Sequence, residues 1–226
     1  MKYKALLLDI DNTLYNYNSV HAIAKKSVVE YCHTQFNIDE TAISAAYEKA
    51  RKKVHTELSE TAASHNRLLY FQKMCEILML NPLQHSLKLY DIYWDTFLEN
   101  ITPFDGVYKI LEKYKNKICL ITDLTAHIQY RKIEKLKLNK YCQILVTSEE
   151  AGKEKPHPHM FRLALQKLNL KASEVCMVGD NFKKDIFGAT NLDINAVWFN
   201  HEEKQESYNE AIIKEAKTFK EVLEFV

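Results

Sequence analysis

Across 226 residues, 31 Lys and Arg nearly balance 30 Asp and Glu, for a net charge of +1, which removes the electrostatic case for a nucleic-acid polymer or an anionic membrane as partner. With 46% hydrophobic and 27% charged residues, disordered and fibrous classes are excluded, and the chain is long enough for one large core plus a smaller unit. The five cysteines, Cys32, Cys75, Cys119, Cys142 and Cys176, are scattered without a Cys-x-x-Cys pair, so reduced, buried thiols are expected rather than a disulfide framework or a zinc site.

The chain opens with an apolar run over 4–10 that ends in acid, the pattern of a strand buried on both faces of a parallel sheet. It is far short of a signal-peptide core or a membrane span, and a cytoplasmic location without membrane attachment is expected. Four amphipathic helical patterns follow over 20–36, 40–57, 65–80 and 83–100, broken at Asn37, Ser59 and Asn81-Pro82, which are ordinary helix stop and start signals. From 105 onward helices and strands alternate: helices over 107–114, 126–136, 159–168 and 183–190, strands over 118–122, 144–147, 175–179 and 194–199. That alternation predicts right-handed βαβ units, hence an α/β fold with a doubly wound, Rossmann-like parallel sheet. The expected organisation is a core of residues 1–16 and 101–226 interrupted by an all-helical insert, 17–100.

Ligands of open parallel sheets bind beyond the carboxyl ends of the strands, so the residues after each strand matter most. These are Asp9, Asp11, Asn12 and Thr13; Thr122 and Asp123; Lys153 to Pro156; and Gly179, Asp180, Asn181 with Asp185. Side chains two apart on a strand face the same way, so Asp9 and Asp11 are expected to converge, and with Asp180 and Asp185 to concentrate negative charge that demands a cation. An oxygen-ligated divalent ion follows, Mg2+ by preference, because it accepts one or two carboxylates together with water and phosphate oxygens. Lys155 and the Thr122 hydroxyl then stand where a transferred phosphoryl group would place its oxygens.

The run Asp9-Ile10-Asp11-Asn12-Thr13-Leu14, then Thr122, Lys155-Pro156, and Gly179-Asp180 with Asp185, resembles the four motifs of the haloacid dehalogenase superfamily, and the insert corresponds to its helical cap. The stretch 178–200 is most similar to that of phosphatases such as pyrimidine 5′-nucleotidases and N-acylneuraminate-9-phosphatase. The resemblance implies a hydrolase of a small-molecule phosphate ester, with Asp9 as nucleophile forming an aspartyl-phosphate and Asp11 protonating the leaving alcohol and deprotonating water. It implies Mg2+ held by the Asp9 carboxylate, the Asp11 backbone carbonyl and Asp180, with Asp185 supporting the metal's waters or orienting Lys155. Asn12, Thr122, Asp123 and Lys155 would contact the substrate, and the cap would close over it. Dehalogenases lack a carboxylate at the position of Asp11, because halide needs no proton, so phosphoester hydrolysis is favoured. A nucleoside 5′-monophosphate is the first expectation for the substrate, with a sugar phosphate, a phosphomutase reaction, a haloacid or a non-catalytic phosphate-binding role as alternatives, and a monomer or homodimer as the assembly.

One departure stands out: Asp123-Leu124 replaces the Asn-Gly common after the second-motif Thr, and a carboxylate beside a phosphate site is electrostatically unhelpful unless it points away. His157 and His159 in a polar loop, the Arg51-Lys52-Lys53 run and Trp94, Trp198 and Phe199 read as solvated or core residues. Tyr15, Asn16, Tyr17 and His21 read chiefly as packing at the entrance to the insert. Glycine is scarce, four in the chain; Gly179 beside Asp180 suggests a close backbone approach, Gly106 a turn and Gly188 helix packing.

Overall fold

The computed structural model describes residues 2–226. In chain order its elements are β1 (Ala5–Leu8), α1 (Tyr17–Phe36), α2 (Glu40–Glu57), α3 (Arg67–Ile77), α4 (Pro82–Asn100), α5 (Val107–Lys113), β2 (Ile118–Thr122), α6 (Ala126–Lys135), β3 (Ile144–Thr147), α7 (Ser148–Ala151), α8 (Pro158–Leu168), β4 (Val175–Gly179), α9 (Phe187–Thr190), β5 (Asn195–Phe199), β6 (Ile213–Ala216) and α10 (Phe219–Phe225). They form two compact units, one holding the chain up to Asn16 and again Thr102–Val226, the other Tyr17–Ile101. Among the described residues no helix is long and apolar enough to cross a membrane.

The first unit is a six-stranded sheet in the order β3-β2-β1-β4-β5-β6, with every neighbouring pair parallel. Central β1 is aligned with both neighbours through Leu7, opposite Cys119 on one side and Met177 on the other. Leu6, Leu7 and Leu8 are wholly buried, as expected of a strand covered on both faces. Chain order runs outward from β1 to β2 and β3 on one side, then to β4, β5 and β6 on the other. The reversal leaves a crevice beyond the carboxyl ends of β1 and β4, the place where such sheets bind ligands.

Three elements escape the sequence reading, the single-turn α7, β6 and α10. β6 carries Lys214 and Glu215 at its centre, so it lacks the apolar run that marks interior strands; charge on an edge strand is a common guard against edge-to-edge pairing. Helix α10 is short and begins at a Thr218 cap, beyond the last element expected from the sequence. The strand expected over 4–10 stops at Leu8, because Asp9 to Thr13 turn away to build the site. The helix expected over 183–190 is a π-helical turn, Phe182–Ile186, followed by α9; such turns recur at functional sites.

The second unit packs α4 against α1 and α3, and α2 against α3. Tyr47, Tyr70, Phe71, Tyr93, Trp94 and Phe97 are buried at its centre, where aromatic rings supply much area with few rotatable bonds. Asn81 caps α4 by accepting the Leu83 N–H at 3.0 Å, with Pro82 in the first turn, where its missing N–H costs nothing. The segment expected as one helix over 65–80 is a 3-10 turn, Ala62–His65, followed by α3 with Asn66 as its cap.

Candidate active site

The site is built from the residues that follow β1, β2 and β4 and from the loop before α8. Asp9 is anchored by its own N–H donating to the Val178 carbonyl at 3.0 Å, which ties the end of β1 to β4. Its two carboxylate oxygens have different partners: Thr13 Oγ1 donates to Oδ2 at 2.8 Å, and Lys155 Nζ donates to Oδ1 at 2.6 Å. A hydroxyl has one hydrogen to give, so Thr13, which also accepts the Asp180 N–H at 3.0 Å, is a bridge between the first and last acidic motifs. Asn12, in the left-handed region at φ 62, donates from Nδ2 to Asp180 Oδ2 at 2.9 Å. The Trp198 indole N–H donates to the Asp180 carbonyl at 2.9 Å, which fixes the turn after β4 from the side.

Lys155 precedes Pro156 through a cis peptide bond and is almost wholly buried, at 3% exposure. Its three ammonium hydrogens go to Asp9 Oδ1 at 2.6 Å, Asp185 Oδ1 at 2.6 Å and the Ile121 carbonyl at 3.1 Å. With every donor committed, Lys155 acts on the site through its charge. Asp185 is held in turn by the Asn181 N–H at 3.0 Å, and the π-helical turn delivers it. Gly179 is required at the end of β4: a Cβ there would stand 2.5 Å from Asp185 Oδ2.

One ammonium is thus set among three carboxylates. Asp9, Asp180 and Asp185 each present an oxygen within 4.8 Å of the others. Burial pushes the Asp9 carboxyl up to about 7, against the pull of Lys155 and with Asp185 adding to the rise. Burial and the neighbouring Asp9 push Asp180 up to about 6; burial also takes Asp185 to about 6, against the pull of Lys155. The cluster therefore binds either protons or a cation. Hard oxygen donors, converging and short of positive charge, fit a divalent metal ion.

Asp11 is not part of the carboxylate group that Asp9 forms with Asp180 and Asp185, although its charge still reaches Asp9. The Asp11 carboxylate leaves the acidic cluster for Lys132, whose Nζ donates to Oδ1 at 2.6 Å and to Oδ2 at 2.8 Å. Gln129 Nε2 donates to Oδ2 at 2.9 Å, and the Tyr15 hydroxyl donates to Oδ1. Burial alone would raise the Asp11 carboxyl, but Lys132 and these donors hold it below the ordinary range. Gln129 also donates to Thr122 Oγ1 at 2.8 Å, so the second motif is linked to Asp11. Neither Lys132 nor Gln129 stands out in the sequence, where each reads as helix surface. The available signal was that they share the apolar face of α6 with Ile128 and Ile133, at the i, i+3 and i+4 spacing of a buried stripe.

Asp123 does point away from Asp9. Its Oδ1 accepts the Lys155 N–H at 3.0 Å and its Oδ2 pairs with Lys184 at 2.8 Å, so its charge is matched and its oxygens set the Lys155 loop. Leu124, where the resemblance expects glycine, is held at φ 99, a conformation rare for a branched side chain. His157 caps α8 by accepting the His159 N–H. Tyr15 is wholly buried; in the helical unit His21 bonds the Tyr93 hydroxyl at 2.7 Å and Tyr17 accepts from Arg67. All five cysteines are free and buried.

Residues 6–199 match the haloacid dehalogenase-like hydrolases. A ribulose-1,5-bisphosphate 5-phosphatase of Halopiger xanaduensis is 35% identical over 92% of this chain and 89% of its own. The pyrimidine 5′-nucleotidase YjjG of Escherichia coli is 28% identical over 91% of each chain. The crystal structure of the putative HAD-hydrolase YfnB from Bacillus subtilis superposes with a TM-score of 0.75 at 18% identity, covering 100% of this chain and 99% of that one. Strand order, motif placement and these likenesses agree, and the chain belongs to the haloacid dehalogenase-like hydrolase family.

Proposed function

We propose that this chain is a magnesium-dependent phosphatase of small phosphorylated metabolites that works through an aspartyl-phosphate on Asp9. The observation that carries the reading is the single ammonium of Lys155 among the Asp9, Asp180 and Asp185 carboxylates at the crevice beyond β1 and β4. Mg2+ would be held by the Asp9 and Asp180 carboxylates and the Asp11 backbone carbonyl, with Asp185 ordering its surroundings. When bound, the cation screens the repulsion between carboxylate and phosphate oxygens.

Asp9 attacks phosphorus, the P–O ester bond breaks, and the departing oxygen takes that bond's electron pair and a proton from the Asp11 carboxyl. The negative charge of the arriving ester raises the proton affinity of Asp11 and so favours the acid form at that moment. Water then attacks the phosphoryl group of the intermediate and gives its proton to the Asp11 carboxylate. The P–O bond to Asp9 breaks, and phosphate and the free Asp9 carboxylate are regenerated. The ionised, Lys132-paired Asp11 of this structure is the form that the second step requires. Thr122 and the Lys155 charge would steady the phosphoryl oxygens.

The relative at 35% identity is named for a sugar bisphosphate, which moves sugar phosphates ahead of nucleoside monophosphates as the substrate class. The free, buried cysteines support a reducing, cytoplasmic setting. The test is phosphate release from sugar phosphates, nucleoside monophosphates and p-nitrophenyl phosphate, with Mg2+ or EDTA, for the wild type and Asp9→Asn. Repeated turnovers that need Mg2+ and vanish in Asp9→Asn are expected. A folded wild type that turns over no ester would overturn the reading.

A further inference from the structure

We propose that Lys132, together with Gln129, is a positioning residue that aims the Asp11 carboxyl at the ester oxygen; the proposal rests on the phosphatase reading above. A carboxyl on a single CH2 would otherwise rotate among several orientations, and proton transfer needs hydrogen-bond reach to one particular oxygen. Here both Asp11 oxygens are gripped from α6, by Lys132 at 2.6 and 2.8 Å and by Gln129 at 2.9 Å, while the Asp11 side chain stays 26% exposed. The carboxyl is thus held at both oxygens while part of its side chain stays accessible.

Stability does not account for this arrangement. Lys132 is fully buried, and a buried ion pair often stabilises no better than apolar residues of the same volume. Gln129, also fully buried, shares its two amide hydrogens among Asp11, Thr122 and the Asp123 carbonyl and leaves its own Oε1 without a hydrogen-bond partner, an unfavourable burial that a residue selected only for packing would avoid. What the pair achieves is one fixed orientation of Asp11, tied through Gln129 to the Thr122 hydroxyl.

The experiment compares kcat/KM, which reports events through departure of the leaving group, for a sugar phosphate and for p-nitrophenyl phosphate. The nitrophenolate leaves without a proton, whereas an alkoxide needs one. Lys132→Met and Gln129→Ala are expected to cut the sugar-phosphate value, by about a hundredfold for Lys132→Met, while the p-nitrophenyl value falls by less than tenfold. Asp11→Asn should show the same selectivity, and Lys132→Met combined with Asp11→Asn should be no worse than Asp11→Asn alone. Gln129→Ala keeps the ion pair and carries the test if Lys132→Met does not fold. Equal losses on both esters, or losses that multiply with Asp11→Asn, would reduce the pair to scaffolding and overturn the proposal. A wild type inactive on every ester would instead defeat the phosphatase reading itself.

Discussion

Gly179 shows how tightly single residues are constrained around the acidic cluster. An alanine Cβ would overlap Asp185 at 2.5–2.6 Å, and Asp185 cannot yield without releasing Lys155. Gly179→Ala should destabilise the protein by about 1–3 kcal/mol through overpacking and lower kcat on the order of a hundredfold through misplacement; urea unfolding and phosphate release read the two effects, and activity within threefold of wild type would refute the account. Asp123 is the opposite case. Its substitution by Asn keeps an oxygen for the Lys155 N–H and loses only the charge opposite Lys184, which is 32% exposed. Asp123→Asn should therefore cost no more than about 1 kcal/mol and leave kcat within a few-fold, whereas Asp123→Ala, which removes the acceptor, should depress kcat further. The sequence shows that Asp123 is unusual but not where its carboxylate points, because that depends on Lys184, sixty-one positions away.

Among the elements, legibility followed burial. β2 and β4, buried along their whole length, appear in the sequence as apolar runs with the observed bounds. β6 does not, because an edge strand need bury only Ile213 and Ala216. Helix punctuation was equally readable where one side chain does the capping, as at Asn81. Asn81→Ala should lower the stability of the helical unit by about 1 kcal/mol, seen in urea unfolding followed by circular dichroism, with unchanged kcat; a parallel fall in activity would show that α4 does more than pack. The four-part site was legible because its members follow buried strands. Lys132 and Gln129 were not, since a lysine or glutamine on a helix is ordinarily solvated, and only the partner at Asp11 makes burial tolerable.

For the whole molecule, the acidic cluster couples stability to pH and, on the proposed function, to a divalent ion. Folded Asp9 titrates at about 7 and Asp180 and Asp185 at about 6, each raised chiefly by burial from an ordinary 3.8. Between those values the folded chain keeps protons that the unfolded chain has shed, so the contribution of these groups to metal-free stability falls as pH rises from about 4 to about 7 and is level above. A divalent ion takes the place of those protons, and its stabilisation, about 2.7 kcal/mol at a hundredfold excess over Kd, should be full at pH 8 and much smaller at pH 5. Thermal melts with Mg2+ or EDTA at the two pH values check this; equal shifts at both would show that the cation binds elsewhere.

The sheet order also dictates when the protein can work during its own synthesis. Asp9 lies near the start of the chain, yet the strand beside it is β4, paired as Leu7 with Met177, and Lys155, Asp180 and Asp185 all come late. A ribosome must therefore add β4 and the turn after it before Asp9 meets these partners. Until then β1 has one unpaired edge along three consecutive leucines. The helical unit between them, whose contacts are local, can fold first, and the carboxylate proposed as nucleophile stays without its partners until β4 docks.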